Sequence, residues 1–199
     1  MGEIISYLFD FLLPPRRTEQ LVRTLTLEHL YALSEENGLP YHDPRVTALI
    51  WELKYHGTRR SMALAGEYIS ETLLAFASEE VGKPLLIPVP MHPARRRERG
   101  HNQTELLCQA ALPYVGNGLA YAPAALRRVR TTPPQQGLSK HERLTNVARS
   151  MEARPNVVSG RVCLVVDDVS TTGATLGEAK RALLEAGARS VQLVSLAHS

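Results

Sequence analysis

Two adjacent carboxylates, Asp167 and Asp168, stand directly before a hydroxyl-rich turn and could together bind a polar ligand. They follow the apolar run 162–166, which has the length of a strand covered on both faces. The turn 170–175 carries four hydroxyl side chains, and the spacing of apolar residues over 176–186 predicts a helix that starts there. The amino end of a helix offers unpaired N–H groups and a partial positive charge, so this turn suits an anion such as a phosphate.

The carboxylates and the phosphate cradle place different demands on a ligand. Carboxylates repel a phosphate, but they accept hydrogen bonds from the vicinal hydroxyls of a ribose. A ribose 5-phosphate meets both demands, and the carboxyl end of a strand is where open α/β sheets bind ligands. The alternative is an ordinary strand-to-helix turn with Ser and Thr caps. A cap needs one hydroxyl, whereas this turn has four.

The rest of the chain predicts the elements that must position these residues. Asp43-Pro44 has the form of a helix start, with Asp as the cap and Pro in the first turn. Further helices are predicted over 16–40, 61–79, 102–112 and 173–187, and a short one opens at the Ser-x-x-Glu sequence 139–142. Strands are predicted over 85–89, 147–153, 162–166 and 191–197, with a poorly defined strand from Leu119. This alternation indicates an α/β fold with a mainly parallel, open sheet flanked by helices.

Length and composition bound the class of protein. With 199 residues, the chain can bury the core of one domain. Cys108 and Cys163 fall in a predicted helix and a predicted strand, so we expect small buried thiols and a reducing compartment. The apolar segment 4–13 is too short to cross a bilayer and lacks the features of a secretory signal. We therefore expect a cytoplasmic protein with no membrane partner.

The net charge of +3 conceals an uneven distribution of charge. Residues 1–90 carry 8 basic and 12 acidic side chains, a net of −4, and residues 150–199 carry 5 of each. Residues 91–149 carry 10 basic and 3 acidic side chains, a net of +7. This central region suits a polyphosphate or a nucleic-acid backbone. A solvated basic face without a partner is the alternative.

The string 162–175 resembles the phosphoribosyl-pyrophosphate (PRPP) binding motif of type I phosphoribosyltransferases. In that motif an apolar strand precedes two acidic residues, one apolar residue and a Thr-Thr-Gly-x-Thr-like loop. Other stretches resemble the ComF branch of the same fold, in the expected order: 41–45 with 53–57, 88–103, 128–139 and 142–147. The chain is identified as a member of the ComF family, which is associated with DNA uptake in bacterial natural transformation (competence).

The resemblance implies a phosphoribosyltransferase-like domain over 41–199 and a helical N-terminal extension over 1–40. Many ComF proteins carry a Cys-rich zinc module after a segment similar to 11–15 of this chain. Here no cysteine precedes Cys108, and His29 and His42 alone do not make a four-ligand zinc site. We therefore expect the extension to take the place of the zinc module.

The resemblance also implies where PRPP binds. Asp167 and Asp168 would hold the ribose hydroxyls, or the hydration shell of a Mg²⁺ ion that arrives with PRPP, and no residue would bind the metal directly. The other residues implied to surround the ribose 5-phosphate are Val169, Ser170, Thr171, Thr172, Gly173, Ala174 and Thr175.

The pyrophosphate half of PRPP is implied to contact the loop after the strand 85–89. Met91 and His92 would present backbone N–H groups and Arg99 would pair with the phosphates, although His92 could instead only hydrogen-bond within the loop. Lys140 and Arg143, on a mobile loop over 131–143, would add charge for catalysis. The run 95–97 is either part of this clamp, a solvated face or a DNA contact, and Lys54 could reach the site from a helix end.

Two classes of function follow. One is an enzyme, a pentosyl-group glycosyltransferase that moves phosphoribosyl from PRPP to an unidentified acceptor with the help of Mg²⁺. The other is a non-catalytic PRPP-binding or DNA-handling factor, with single-stranded DNA as its partner. A lid over PRPP favours the enzyme, and the scarcity of aromatic residues in the basic region, where Tyr114 and Tyr121 stand alone, argues against strand binding. Family resemblance also implies a homodimer.

Overall fold

Five parallel strands form the centre of the fold in a computed structural model that describes residues 16–130 and 145–199. With a further pair of strands, the described residues contain β1 Leu39–Pro40, β2 Leu85–Pro88, β3 Ala120–Tyr121, β4 Leu126–Arg128, β5 Met151–Ala153, β6 Val162–Ser170 and β7 Ser190–His198. The main sheet has the order β1-β7-β6-β2-β3 with parallel neighbours, and β4 and β5 form a separate antiparallel pair.

Helices cover both faces of this sheet. They are α1 Arg16–Thr24, α2 Leu27–Leu33, α3 Pro44–Tyr55, α4 Arg59–Glu79, α5 Pro93–Arg99, α6 Gln103–Val115, α7 Pro155–Val158 and α8 Ala174–Glu185. The predicted fold class, an α/β fold with a mainly parallel sheet flanked by helices and a helical N-terminal region, is confirmed.

Alternate residues of the central strands pack against different helices. Leu86, Leu164 and Val166 belong to a buried cluster with residues of α1 to α4 and α6. Ile87 and Val165 belong to a second cluster with α8 and the β4–β5 pair. Because both faces of β2 and β6 are covered, these strands read as continuous apolar runs in the sequence.

Side-chain caps set the starts of the helices that lead into the site. The Asp43 carboxylate accepts a hydrogen bond from Arg45 N (2.8 Å), which confirms the predicted start of α3 at Pro44. Asn102 likewise caps α6 and accepts from Thr104 N (3.3 Å). The helix predicted from residue 61 begins two residues earlier, because Thr58 caps it.

Two predicted strands differ from the structure. The predicted strand 162–166 continues to Ser170, because β7 pairs with it along its whole length. The strand predicted over 147–153 is wrong over 147–150 and is confined to β5. Arg149 has a φ of 52°, which an extended strand does not adopt, and Ser150 N donates to Val147 O in a turn (3.1 Å).

The helices α1 and α2 pack into the same core as the sheet. Val22, Leu25 and Leu30 are buried in the cluster that includes residues of β6 and β7, and the Thr18 hydroxyl donates to the Glu52 carboxylate of α3 (2.8 Å). Cys108 and Cys163 are free and buried, as predicted. Within the ranges 16–130 and 145–199, none of the helices has the length and apolar character needed to cross a bilayer.

The close contact between α4 and α6 gives a first prediction. A Cβ added at Gly66 would lie 2.5 Å from the carbonyl carbon of Ala110, so the two helices would have to separate. We expect Gly66→Ala to lower the free energy of unfolding by about 1–3 kcal/mol. Gly177→Ala in α8, where no atom lies within 4 Å of the added Cβ, is expected to raise it by about 0.5–1 kcal/mol.

Urea denaturation of both variants measures this difference. Equal stabilities of Gly66→Ala and the wild type would contradict the close packing of α4 on α6.

Candidate functional site

A cleft opens at the carboxyl ends of β2 and β6, which are neighbours in the sheet; we call it the β2–β6 cleft. The chain leaves β2 towards β3 on one side and leaves β6 towards β7 on the other. Such a reversal of strand order creates the crevice in which open α/β sheets bind ligands. The cleft contains a cavity of about 250 Å³. It is lined by Lys54, Val89, Pro90, Met91, His92, Arg95, Arg99, Asn102, Gln103, Thr104, Arg128, Asp167, Asp168, Val169 and Thr175.

The two carboxylates at the end of β6 face opposite sides of the sheet, and both line the cleft. Successive strand residues alternate between faces, so Asp168 continues the face of Val166 and Asp167 that of Val165. Lys54, near the carboxyl end of α3, places its Nζ 3.1 Å from Oδ2 of Asp168. Because both of these side chains are largely buried, the ion pair fixes the carboxylate at the cleft wall.

Asp167 has a different electrostatic environment. Its carboxyl group is buried, and burial, followed by the charge of Asp168, raises its pKa well above the ordinary value. Arg128, at the end of β4 on the same side of the sheet, is close enough to Asp167 for their charges to interact. Burial lowers the pKa of Lys54, but Asp168 outweighs that effect and the pKa is raised. The cleft thus holds one ion-paired carboxylate and one that retains its proton more readily.

The turn after β6 leads into α8 through a left-handed glycine. Gly173 has a φ of 71° and occupies the N-cap position of α8, where it has no side chain to cap the helix. The hydroxyl of Thr172 accepts a hydrogen bond from Ala174 N (3.4 Å), the first residue of the helix. Val169 and Thr175 line the β2–β6 cleft. The turn is therefore placed beside the two carboxylates, as its sequence predicted.

Ser170 and Thr171 line a different depression of about 550 Å³, whose other lining residues include Tyr68 and Val194. Thr172, Gly173 and Ala174 line neither of these two hollows. The predicted phosphate-binding residues therefore form one continuous turn, but only part of it faces the β2–β6 cleft.

The loop after β2 forms the opposite wall. Met91, His92 and Arg99 all line the cleft, where sequence analysis placed them. The His92 ring accepts a hydrogen bond from Ala94 N (3.2 Å) and caps α5, which is the role given above as the alternative for this residue. The Arg99 guanidinium lies 5.1 Å from the centre of the Tyr55 ring.

Buried polar side chains hold this loop in place. Asn102 Nδ2 and the Thr104 hydroxyl both donate to Val89 O, at 3.1 and 2.6 Å. Arg128 Nε donates to Pro90 O (3.3 Å) and so links the loop to β4. These contacts connect the loop to the start of α6 and to β4.

The basic run after the loop divides between two surfaces. Arg95 lines the cleft, whereas Arg96 faces outward and forms a bidentate ion pair with Glu105 (2.8 and 2.9 Å). Arg97 is exposed. Of the three arginines 95–97, one therefore lines the cleft and two lie on the solvent-exposed surface.

Lys140 and Arg143 lie outside the described residues, as does the loop 131–143 that carries them. Within the described ranges, no group of three or more His, Cys, Asp and Glu side chains is arranged to hold a metal ion.

Sequence reasoning underestimated two cations. Arg128 was noted only as part of a longer resembling stretch, and its place in the cleft depends on the β4–β5 pair, which no local pattern reveals. Lys54 was recognised as able to reach the site, but its partner Asp168 lies far along the chain. The leading signal for Lys54 was its position at the end of a helix whose other face is apolar.

Comparison with known proteins agrees with this architecture. Residues 106–199 match the family described as phosphoribosyl transferase domain. The chain is 36% identical over 158 residues to DNA utilization protein YhgH of Salmonella typhi. The aligned region covers 76% of this chain and 66% of that protein. It is 35% identical over 121 residues to Competence protein F of Haemophilus influenzae, covering 57% of this chain and 50% of the relative. The chain thus spans less than two thirds of the length of these relatives.

Among solved structures, a hypoxanthine phosphoribosyltransferase from Staphylococcus aureus aligns with this chain at 14% identity and a TM-score of 0.43. The alignment covers 69% of this chain and 65% of the Staphylococcus aureus chain.

Proposed function

This chain belongs to the ComF family and carries a phosphoribosyl transferase domain, and from that premise we propose that it binds PRPP in the β2–β6 cleft and transfers its phosphoribosyl group to an acceptor. The observation that carries the proposal is the convergence of two buried carboxylates, part of the turn that leads into α8 and four cationic side chains on one cavity. The cations are Lys54, Arg95, Arg99 and Arg128.

The ribose 5-phosphate half of the ligand fits the β6 side of the cleft. The vicinal hydroxyls would donate to Asp167 and Asp168, and the phosphate would accept from backbone N–H groups at the start of α8. The left-handed Gly173 supports this placement, because a close backbone approach needs a residue without a Cβ.

The pyrophosphate half fits the opposite wall, where Arg95, Arg99 and Arg128 face the cleft. In the reaction the bond between C1 of the ribose and the pyrophosphate oxygen breaks, and pyrophosphate leaves with the electron pair. A lone pair of the acceptor forms the new bond to C1, and the acceptor then loses a proton. The protein contributes mainly position and charge, since both the cationic sugar and the anionic leaving group must be stabilised.

The donor chemistry of the cleft suits hydrated Mg²⁺, an ion that prefers oxygen ligands and keeps several waters. Asp167 and Asp168 would hold its hydration shell, and the ion would neutralise charge on the pyrophosphate. Lys54 already contacts Asp168, so this carboxylate stays oriented before any ligand binds.

Two neighbouring arginines provide a matched test of the pyrophosphate wall. Arg128 lines the cleft, whereas Arg127 is exposed and pairs with Glu152 (2.7 Å). We expect Arg128→Met to weaken PRPP binding by about tenfold, because one charged hydrogen-bond donor is lost and the loop at Pro90 is released. Arg127→Met is expected to leave the affinity unchanged. Isothermal titration with PRPP and Mg²⁺ measures both, and equal affinities of the two variants would contradict the assignment of Arg128.

The test of the proposed activity is release of pyrophosphate from PRPP, measured with a panel of bases, amines and water as acceptors. Release that depends on one acceptor supports the transferase and identifies its substrate class.

The second candidate, a non-catalytic DNA-handling factor, draws on the relatives named for DNA utilization and competence and on the +7 charge of residues 91–149. Saturable binding of PRPP without release of pyrophosphate from any mixture would favour that candidate.

A further inference from the structure

The outer edge of β7, on the side away from β6, has no strand beside it over most of its length. β1 pairs with β7 only at Ala197 and His198, so among residues 16–130 and 145–199 no strand lies along that edge over 190–194. The segment 190–194 carries no charge and no proline. Natural proteins usually protect a free edge with a charge, a proline or a covering element. This edge is therefore open to pairing with another strand.

The hydrogen bonds of the neighbouring strands show which backbone groups of β7 face outward. Val89 N donates to Val166 O (2.9 Å), so the backbone groups of Val166 face β2. Successive residues of a strand direct their N–H and C=O groups to opposite sides, so those of Val165 face β7. In a parallel pair, a residue bonds to the two residues that flank its register partner. Leu193, the partner of Val165, therefore directs its own N–H and C=O groups to the open edge.

The depression of about 550 Å³ that Ser170 and Thr171 line runs along this edge, and we call it the β7 groove. The consecutive residues 192–195 of β7 also line it. Because successive side chains of a strand point to opposite faces of the sheet, a run of neighbours lines one hollow where that hollow lies at the edge of the strand. Ile69 of α4 and Leu176 of α8, which belong to the clusters on opposite faces of the sheet, form its walls. The groove is thus the space that a further strand would occupy between the two helical layers.

We infer that the β7 groove binds an extended peptide segment of a partner protein, which adds to the sheet as a strand beside β7 and carries a lysine or arginine at one end. Main-chain hydrogen bonds to a sheet edge give such peptides their affinity, and side-chain contacts give them specificity. Tyr68 and Ile69 offer an apolar surface to the middle of the segment. The inference does not depend on the proposed function.

The charge of the groove determines the chemistry of the segment. Glu35 and Glu36 are exposed and line the groove, and among its described lining residues there is no lysine or arginine. Glu35 contacts His198 Nε2 (3.0 Å), which places this acidic pair at the carboxyl end of β7. A basic side chain at that end of the bound segment would meet both carboxylates.

A single strand fits the groove better than a second copy of the chain does. In a two-fold dimer the same patch of both copies meets itself, so that patch must be self-complementary. The β7 groove is concave, with Thr72 of α4 and Leu176 of α8 on either side of the edge. Two such grooves face to face would leave a gap between the copies, whereas one strand at the usual spacing of about 4.8 Å from β7 would fill the groove.

Fluorescence anisotropy of labelled, end-blocked peptides with the full chain tests this inference. The probes are Lys-Thr-Val-Thr-Val-Thr and its reverse, which place the lysine at either end of a segment as long as 190–194. Saturable binding of at least one probe is expected. Replacing its lysine by glutamate, or methylating its backbone nitrogens, is expected to weaken that binding by at least about tenfold, because the acidic pair would repel the first version and the second has no N–H groups to donate.

Matched variants of the chain locate the binding. Thr72→Arg places a long side chain in the groove and is expected to weaken peptide binding by at least about tenfold. Ser78→Arg, at an exposed position of the same helix that does not line the groove, should leave it unchanged. Glu36→Lys should also weaken the binding, whereas Glu28→Lys, at an exposed position of α2, should not.

Three results would overturn the inference: no saturable binding of either probe, equal binding of the methylated version, or an undiminished affinity in folded Thr72→Arg. Sedimentation of the same proteins examines the other occupant. A wild-type dimer that Thr72→Arg converts to a monomer would assign the groove to a second copy of the chain, and it would also overturn the inference.

Discussion

Replacing Asp167 and Asp168 together by asparagine is expected to weaken PRPP binding by at least about a hundredfold, since two hydrogen bonds to charged acceptors, each contributing about 1.5–3 kcal/mol, are lost. Asparagine keeps the shape of the side chain but not its charge, so neither ribose hydroxyls nor hydrated Mg²⁺ would find the same acceptors. Isothermal titration of the variant measures the effect. Glu152→Gln, an exposed carboxylate on β5 that pairs with Arg127, is the matched control and should bind PRPP like the wild type.

The carboxyl group of Asp167 is expected to lower the stability of the fold at neutral pH while it supports PRPP binding. This difference separates a functional from a structural role. Burial and the charge of Asp168 raise the pKa of Asp167 above its ordinary value of 3.8, so its carboxyl group stabilises the fold at low pH, where it is protonated in both states. That contribution is lost as the pH rises from the unfolded pKa through the folded one. Asp167→Asn removes this loss, so the variant should gain stability relative to the wild type as the pH rises above the ordinary pKa of the carboxyl group.

Urea denaturation at several pH values checks this sign. A variant that loses both PRPP affinity and stability at neutral pH would show that Asp167 is structural. Undiminished PRPP affinity in the double variant would remove the carboxylates from the site.

Lys54→Met is expected to lower the free energy of unfolding by about 2–4 kcal/mol at neutral pH, because it leaves Asp168 buried without its cation. The ion pair is largely shielded from water, with Lys54 22% and Asp168 8% exposed, so solvent cannot replace the lost partner. Adding Asp168→Asn to Lys54→Met should restore most of the stability. This rescue is the signature of the pair, since an effect of lost packing alone would remain.

Lys180→Met provides the control for this cycle, since Lys180 is an exposed lysine of α8, and it should change stability little. Chemical denaturation of the three Lys54 and Asp168 variants gives the coupling energy directly. Strictly additive losses would contradict the ion pair as the feature that orients Asp168.

Local sequence signals predicted the elements whose causes are local. Asp43-Pro44 fixes the start of α3, and the apolar runs of β2 and β6 reflect burial on both faces. The turn after β6 was also predictable, because its Gly and hydroxyl residues occupy successive positions. In each case, neighbours in the chain determine the conformation.

Features that depend on distant partners were not predictable in the same way. The extension of β6 to Ser170 follows from pairing with β7, and polar residues at that end read as a loop. The opposite orientation of Asp167 and Asp168 depends on this extension, because only a continuing strand alternates its side chains. Arg128 enters the cleft through the β4–β5 pair, whose partner strands are separated by more than twenty residues.

The measurement that tests the central claim most directly is isothermal titration of the whole chain with PRPP and Mg²⁺, beside ribose 5-phosphate and pyrophosphate as separate ligands. A cleft that holds both halves of PRPP should bind the intact molecule in a saturable, one-to-one manner and more tightly than either half, since joining two fragments removes the cost of ordering the second. No saturable heat change from a folded chain at millimolar PRPP, or PRPP binding no tighter than ribose 5-phosphate alone, would contradict the assignment of the β2–β6 cleft.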